Sequence, residues 1–318
     1  MSFSLSRLRS YFRVLTFVLA ALLLAQAARA QGDRIFAARS YATPPLAIYE
    51  ITGCTPPGDA YAQVDHDGWI GPMAVRGDGR LFVVTNANHG SLYDITGGGD
   101  FRGMPPCAGN LFDGSGYVLA LTFDTNGNAY VGYGDDSPQQ EHPIAVIAPD
   151  CSVDFLRGPD MEVLTFTNVR SLLAVGGLLY IAVGRPGRVL AYDLTSQETM
   201  AFATLFVPGG TNIGGSLALD QRGRLLAFWA GFHSQRWGLI DISAGGDFAD
   251  TEPAVPTRFR VDVNPMAVDS NNNVYFAGND SGAVWISLFD GQQWGPMEIC
   301  AEGLGDTESV VVVPGSTK

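Results

Sequence analysis

Six times along the chain the same short pattern returns, a small or polar turn followed by a strand that carries an aromatic or large apolar residue. The markers are Phe36, Phe82, Tyr130, Tyr180, Leu226 and Tyr275, spaced by 46, 48, 50, 46 and 49 residues. A period of this size identifies units that cannot bury their apolar faces alone and must pack on copies of themselves, in a ring or a stack. Residues 31–318 amount to 48 residues for each of six units, so the repeats leave no room for a second domain.

Within each unit the apolar runs are short, rich in Val, Leu, Tyr and Phe, and separated by Gly, Asn and Asp turns, with no helical periodicity. Met73-Ala74-Val75, Leu173-Ala174-Val175, Leu217-Ala218-Leu219 and Met266-Ala267-Val268 read as the innermost strands, with small central residues that let the units converge. The turns at Gly77-Asp78-Gly79, Thr125-Asn126-Gly127, Gln221-Arg222-Gly223 and Asn271-Asn272-Asn273 supply the left-handed residues that tight hairpins need. The fold class that follows is all-β, a six-bladed β-propeller of four-stranded antiparallel blades. The first unit begins at Arg34-Ile35-Phe36, already a second strand, while Val310-Val311-Val312-Val313 is a strand without a unit. Pairing the two completes the first blade from both chain ends and removes an exposed sheet edge.

Residues 1–30 read as a secretory signal peptide. Arg7, Arg9 and Arg13 precede an apolar run from Val14 to Ala25, and Ala28-Arg29-Ala30 is a cleavage triplet. The run is short of the roughly 20 residues that span a bilayer, so no membrane insertion is expected after cleavage. The propeller domain is then 31–318, secreted or periplasmic and monomeric. Without the four arginines of the first thirty residues the net charge falls from −13 to −17. An acidic surface of this kind repels phosphate backbones, and nucleic acid is excluded as a partner.

In a four-stranded meander the loops after second and fourth strands share one face. His89, His142 and His233 follow second strands, and His66, in Asp65-His66-Asp67-Gly68-Trp69, follows a fourth, so all four histidines share that face. Trp69, Arg185 and Asp280 join them in the predicted ligand-binding set. Histidine beside carboxylates ligates metals or moves protons near neutral pH. No serine elbow, phosphate-binding loop, Cys-x-x-Cys pair or zincin helix occurs. Two strings, Asp124-x-Asn126-x-Asn128 and Asp269-x-Asn271-x-Asn273, start like calcium loops but lack the sixth-position glycine and are read as hairpin turns. The glycine-rich echo of Leu92–Phe101 in Leu239–Phe248 is read as a pair of blade-edge turns.

Leu217-Ala218-Leu219-Asp220-Gln221-Arg222-Gly223, with Met266-Ala267-Val268-Asp269 and Asn273-Val274-Tyr275-Phe276-Ala277-Gly278, resembles the repeat of NHL-type and gluconolactonase-like six-bladed propellers. The resemblance covers all six units. It implies a divalent metal on the axis, calcium or another, held near the starts of inner strands. Glu308, Asn168 and Asn264 stand at such positions.

Four cysteines in an exported chain predict two disulfides, with three connectivities possible. Cys54 and Cys151 occupy one repeat position, after a third strand, and Cys107 and Cys300 another, on a fourth. Pairing Cys107 with Cys151 and Cys54 with Cys300 repeats the same link between neighbouring blades. The alternatives join blades that are not neighbours or leave such a pair over. The functional expectation is an exported module that binds a small molecule or a protein through its histidine-bearing face. The alternative is a divalent-metal-dependent hydrolase or lactonase with the metal at the channel mouth.

Overall fold

The computed structural model describes residues 32–40, 46–64, 70–86, 89–112, 116–134, 140–184, 187–205, 213–231, 237–248, 251, 253–257, 266–278 and 282–315. These form six small sheets in a ring, and no α-helix occurs among the described residues. The predicted signal peptide lies outside them. Blade 1 runs outward from β28 (Asp306–Val313) through β1 (Arg34–Ser40) and β2 (Leu46–Glu50) to β3 (Ala62–Val64). Blade 2 is β4 (Ile70–Val75), β5 (Leu81–Thr85), β6 (Ser91–Asp94) and β8 (Ala108–Gly109); blade 3 is β9 (Tyr117–Phe123), β10 (Ala129–Gly134), β12 (Ala145–Ile147) and β13 (Val153–Phe155). Blade 4 comprises β15 (Val169–Val175), β16 (Leu178–Val183), β17 (Arg188–Asp193) and β18 (Thr199–Thr204). Blade 5 is β19 (Ile213–Leu219), β20 (Leu225–Gly231), β21 (Trp237–Asp241) and β23 (Val255–Thr257), and blade 6 is β24 (Met266–Val268), β25 (Val274–Gly278), β26 (Ala283–Phe289) and β27 (Trp294–Glu302).

The ring closes as the orphan valine strand requires. β28 pairs antiparallel with β1, Val311 opposite Phe36 and Val312 opposite Ile35, so the first blade takes strands from both ends of the chain. The hairpins between inner and second strands turn through left-handed residues, Gly79, Gly127, Gly223 and Asn272, as the sequence requires.

A single core would leave the ring hollow. The apolar residues form six separate clusters instead, each shared by two neighbouring blades: Phe36, Ile48, Ile70 and Val83 between blades 1 and 2, for example, and Phe228, Leu239, Val274 and Phe276 between blades 5 and 6. Each blade thus buries both faces, which is why the sequence shows continuous apolar runs instead of strict alternation. Burying one such Leu, Ile or Phe stabilises by about 1.5–3 kcal/mol, and no blade can realise this without its neighbour.

Polar and covalent links reinforce the seams. The glycine-rich echo proves to be more than a pair of turns: β7 (Gly99–Asp100) pairs in parallel with β3 of the preceding blade, and β22 (Gly246–Asp247) does the same with β18. The seams between blades 1 and 2 and between blades 4 and 5 are therefore latched by main-chain hydrogen bonds. Disulfides hold two others, Cys107–Cys151 between blades 2 and 3, with Cα atoms 5.3 Å apart, and Cys54–Cys300 between blades 1 and 6, at 4.6 Å. At the seam of blades 3 and 4 the Tyr192 hydroxyl donates to the Arg157 carbonyl (2.7 Å), and at that of blades 5 and 6 the Gln221 N–H donates to Asn272 Oδ1 (2.7 Å).

Candidate functional site at the axial mouth

The six inner strands surround a channel of about 290 Å³, lined by Met73, Leu121, Arg170, Leu217, Met266 and Val311 among others. Hydroxyls of the inner strands are already committed to holding the ring together. Ser309 Oγ accepts the Met73 N–H of the next blade (3.0 Å), Thr122 Oγ1 that of Ala174 (3.2 Å), Ser171 Oγ that of Leu217 (3.0 Å) and Ser216 Oγ that of Met266 (2.5 Å).

The two ends of the channel differ in chemistry. At the lower end, where inner strands turn into second strands, carboxylates are fully consumed by their own hairpins. Asp124 is buried; its Oδ1 accepts the N–H groups of Asn126 and Asn128, and its Oδ2 accepts Asn128 Nδ2 and the Tyr130 hydroxyl. Asp269 repeats this with Asn271, Asn273 and Tyr275, and Asp220 does so with Arg222 and Arg224. Both strings that begin like calcium loops are thus saturated turns.

At the upper end, where inner strands begin, bulges redirect side chains. The register of β28 on β1 jumps between Ala38 and Arg39, leaving Glu308 as the extra residue. In β15 the register on β16 jumps between Val169 and Ser171, and the extra residue is Arg170. Leu119 occupies this position in β9, and Gly71 with Pro72 in β4. Bulges of this sort re-aim side chains and gather beside functional sites. Glu308 is buried, and Arg170 lines the channel.

Asn168 stands two residues before the bulge of blade 4, at φ 52°, and is buried. Its carboxamide is wedged between blades 3 and 4: a Cβ on Gly134 would lie 2.5 Å from Asn168 Oδ1, and one on Gly184 would lie 3.2 Å from Nδ2. A side chain at Gly134 would displace it, and one at Gly184 would crowd it. Asn168 Oδ1 has no hydrogen-bond partner, nor do the buried Thr85 Oγ1, Asn86 Nδ2 and Arg39 Nε of the same end.

Of the predicted ligand-binding residues, His66, Trp69, Arg185, His233 and Asp280 lie outside the described residues, as does Asn264 of the predicted metal set. His89 is exposed between β5 and β6, in the left-handed region at φ 59°. His142 does not stand in an open loop of the predicted ligand-binding face. It sits in a short strand, β11 (Glu141–Pro143), paired with β14 (Thr165–Thr167), and its buried ring meets Tyr133 edge-on with centroids 4.5 Å apart. Tyr133 in turn stacks on Phe112 (4.6 Å), so His142 is part of the packing beneath the upper face. Arg170 was missed by sequence reasoning, because a bulge is a property of pairing and leaves no mark on the inner strand alone.

In the metal set, Glu308 and Asn168 belong to blades 1 and 4, on opposite sides of the ring, and Arg170 holds in blade 4 the place that Glu308 holds in blade 1. A guanidinium at that level opposes a divalent cation, and the Asn168 carboxamide is drawn off between two blades. Among the described residues no three His, Cys, Asp or Glu side chains converge.

No protein-family model matches the chain, and no curated protein matches it in sequence. Solved structures do match in fold. A chain of a nidogen/laminin complex is 12% identical with a TM-score of 0.58, over 90% of this chain and 100% of that one. The periplasmic gluconolactonase PpgL of Pseudomonas aeruginosa is 12% identical with a TM-score of 0.58, over 89% and 99%. TolB of Acinetobacter baumannii is 16% identical with a TM-score of 0.57, over 89% and 67%. These likenesses, with the six sheets and the closure of the ring, make the chain a six-bladed β-propeller of the architecture that NHL-type and lactonase-like propellers share.

Proposed function

We propose that the protein is an exported binding module whose ligand or protein partner is engaged at the upper face of the propeller. The observation that supports this most is the asymmetry of the two ends. Lower-end carboxylates are saturated by their own turns, whereas the upper end presents re-aimed charges at Glu308 and Arg170, an exposed His89 and buried polar atoms without partners. Two disulfides suit a protein that works in an oxidising compartment, secreted or periplasmic. A relative in fold is named for a complex between proteins and another for lactone chemistry, and fold alone does not choose between them.

The test is capture on the immobilised protein. A molecule retained by the wild type is expected to be lost from a His89→Ala/Arg170→Gln/Glu308→Gln variant that is still folded by circular dichroism, and kept by the lower-face variant Arg76→Ala/Asp78→Ala. Equal retention by all three rejects the upper face. The second reading, a metal-dependent hydrolase, draws on the buried carboxylate of Glu308 at the channel mouth. It expects hydrolysis of a sugar lactone that chelator abolishes, calcium restores and Glu308→Gln removes.

A further inference from the structure

Inner strands carry almost no charge. Among their described residues the charged side chains are Asp306 at the very start of β28, Glu308, and Arg170. The last two are not scattered. Both are the extra residue of an inner-strand bulge at the upper end, Glu308 in blade 1 and Arg170 in blade 4. In a ring of six these blades face each other across the axis. The bulge positions of blades 2 and 3 hold only Gly71, Pro72 and Leu119, and blade 5 has none, since β19 pairs with β20 without a register shift. The described inner-strand bulges of the mouth therefore hold one acid and one base, on opposite sides of the ring, above a channel of about 290 Å³.

The geometry points to a ligand that carries an anionic and a cationic group separated by a spacer, an amino carboxylate or the equivalent termini of a short peptide, its carboxylate toward Arg170 and its ammonium toward Glu308. Guanidinium is suited to a carboxylate because it offers parallel donors. A carboxylate on the opposite wall rejects a second anion there and accepts a cation, so selectivity comes from repulsion as much as from attraction. Beside Arg170, Asn168 Oδ1 is a buried acceptor without a partner, and Thr85 Oγ1 of blade 2 is another buried polar atom without one. Unpaired buried groups of this kind discriminate strongly between ligands that satisfy them and ligands that do not.

This inference rests on the upper face being the binding face, and the experiment separates the two. Titration calorimetry of the wild-type protein at low salt is run with ω-amino carboxylates from glycine to 8-aminooctanoate, each beside the acid and the amine of equal chain length. One spacer length is expected to bind at least tenfold more tightly than both its single-charge analogues. Arg170→Gln should remove the advantage over the amine, and Glu308→Gln that over the acid, while Arg170→Lys keeps most of both. A series in which no member exceeds its analogues overturns the proposal without any variant, and so does a preference that survives both glutamine substitutions. If the zwitterion preference is absent while the upper-face variant still loses a captured partner, the ligand class is wrong and the binding face stands. If the preference is present and capture does not depend on the face, the ligand class stands alone.

Discussion

Asp124 and Asp269 show how a single residue type can be consumed by structure. Each is buried, and each carboxylate accepts hydrogen bonds from two main-chain N–H groups, an asparagine amide and a tyrosine hydroxyl. Burial, with the adjacent carboxylate adding to it, pushes the phenols of Tyr130 and Tyr275 well above their ordinary value. The unfolded chain gives up these protons near pH 10, whereas the native protein keeps them. Above that pH the native state thus binds more protons, and stability falls as pH rises. The melting temperature of the wild type is expected to start dropping near pH 10 and to go on falling above it, and that of the Tyr130→Phe/Tyr275→Phe variant to drop less. The variant should also start lower at neutral pH, by about 1–3 kcal/mol for each bond lost to a charged acceptor. Parallel pH profiles for the two proteins would dismiss the account.

At the scale of elements, β28 has the largest consequence for its length. It closes blade 1 on β1, contributes Val310 and Val311 to the cores on its two sides, and sends Ser309 across to Met73. Deleting Val310–Lys318 removes the pairs that Val310 to Val313 make with Ala37 to Arg34 and both apolar contributions, and leaves that half of β1 as an open edge. The expected cost is several kcal/mol, beyond the roughly 0.5–3 of ordinary point mutants, read as a large loss of melting temperature or no folded product. A truncated protein that melts like the wild type would show that the ring does not depend on its clasp. The bulges at Glu308 and Arg170 belong to this scale too, because strand pairing decides which residue is left as the extra one at the upper end.

For the whole molecule, the fastening of seams decides how cooperatively the ring opens. Cys54 and Cys300 are 246 residues apart in sequence, and Cys107 and Cys151 are 44 apart. Loop-closure entropy assigns stabilisations of about 5 and about 4 kcal/mol to loops of these sizes. Cys54→Ser/Cys300→Ser and Cys107→Ser/Cys151→Ser are therefore expected to melt well below the wild type, by comparable amounts, and peptide mapping without reductant should recover each surviving pair intact. Recovery of Cys54 linked to Cys107 would overturn the blade assignment as well as the bond.

The sequence by itself determined the number of blades, their strand order, the closure by the valine strand and the choice of cysteine partners, because all four follow from a period of about 48 residues and from which positions in it correspond. It also identified the Asp-x-Asn-x-Asn strings as turns, since their chemistry is local. Only the tertiary structure decided that the glycine-rich echo latches neighbouring blades, that His142 is buried against Tyr133, and that Arg170 shares the bulge position of Glu308 while Asn168 is wedged between Gly134 and Gly184. Each of these depends on register or on contact between different strands, and neither is written in the order of residues within one strand.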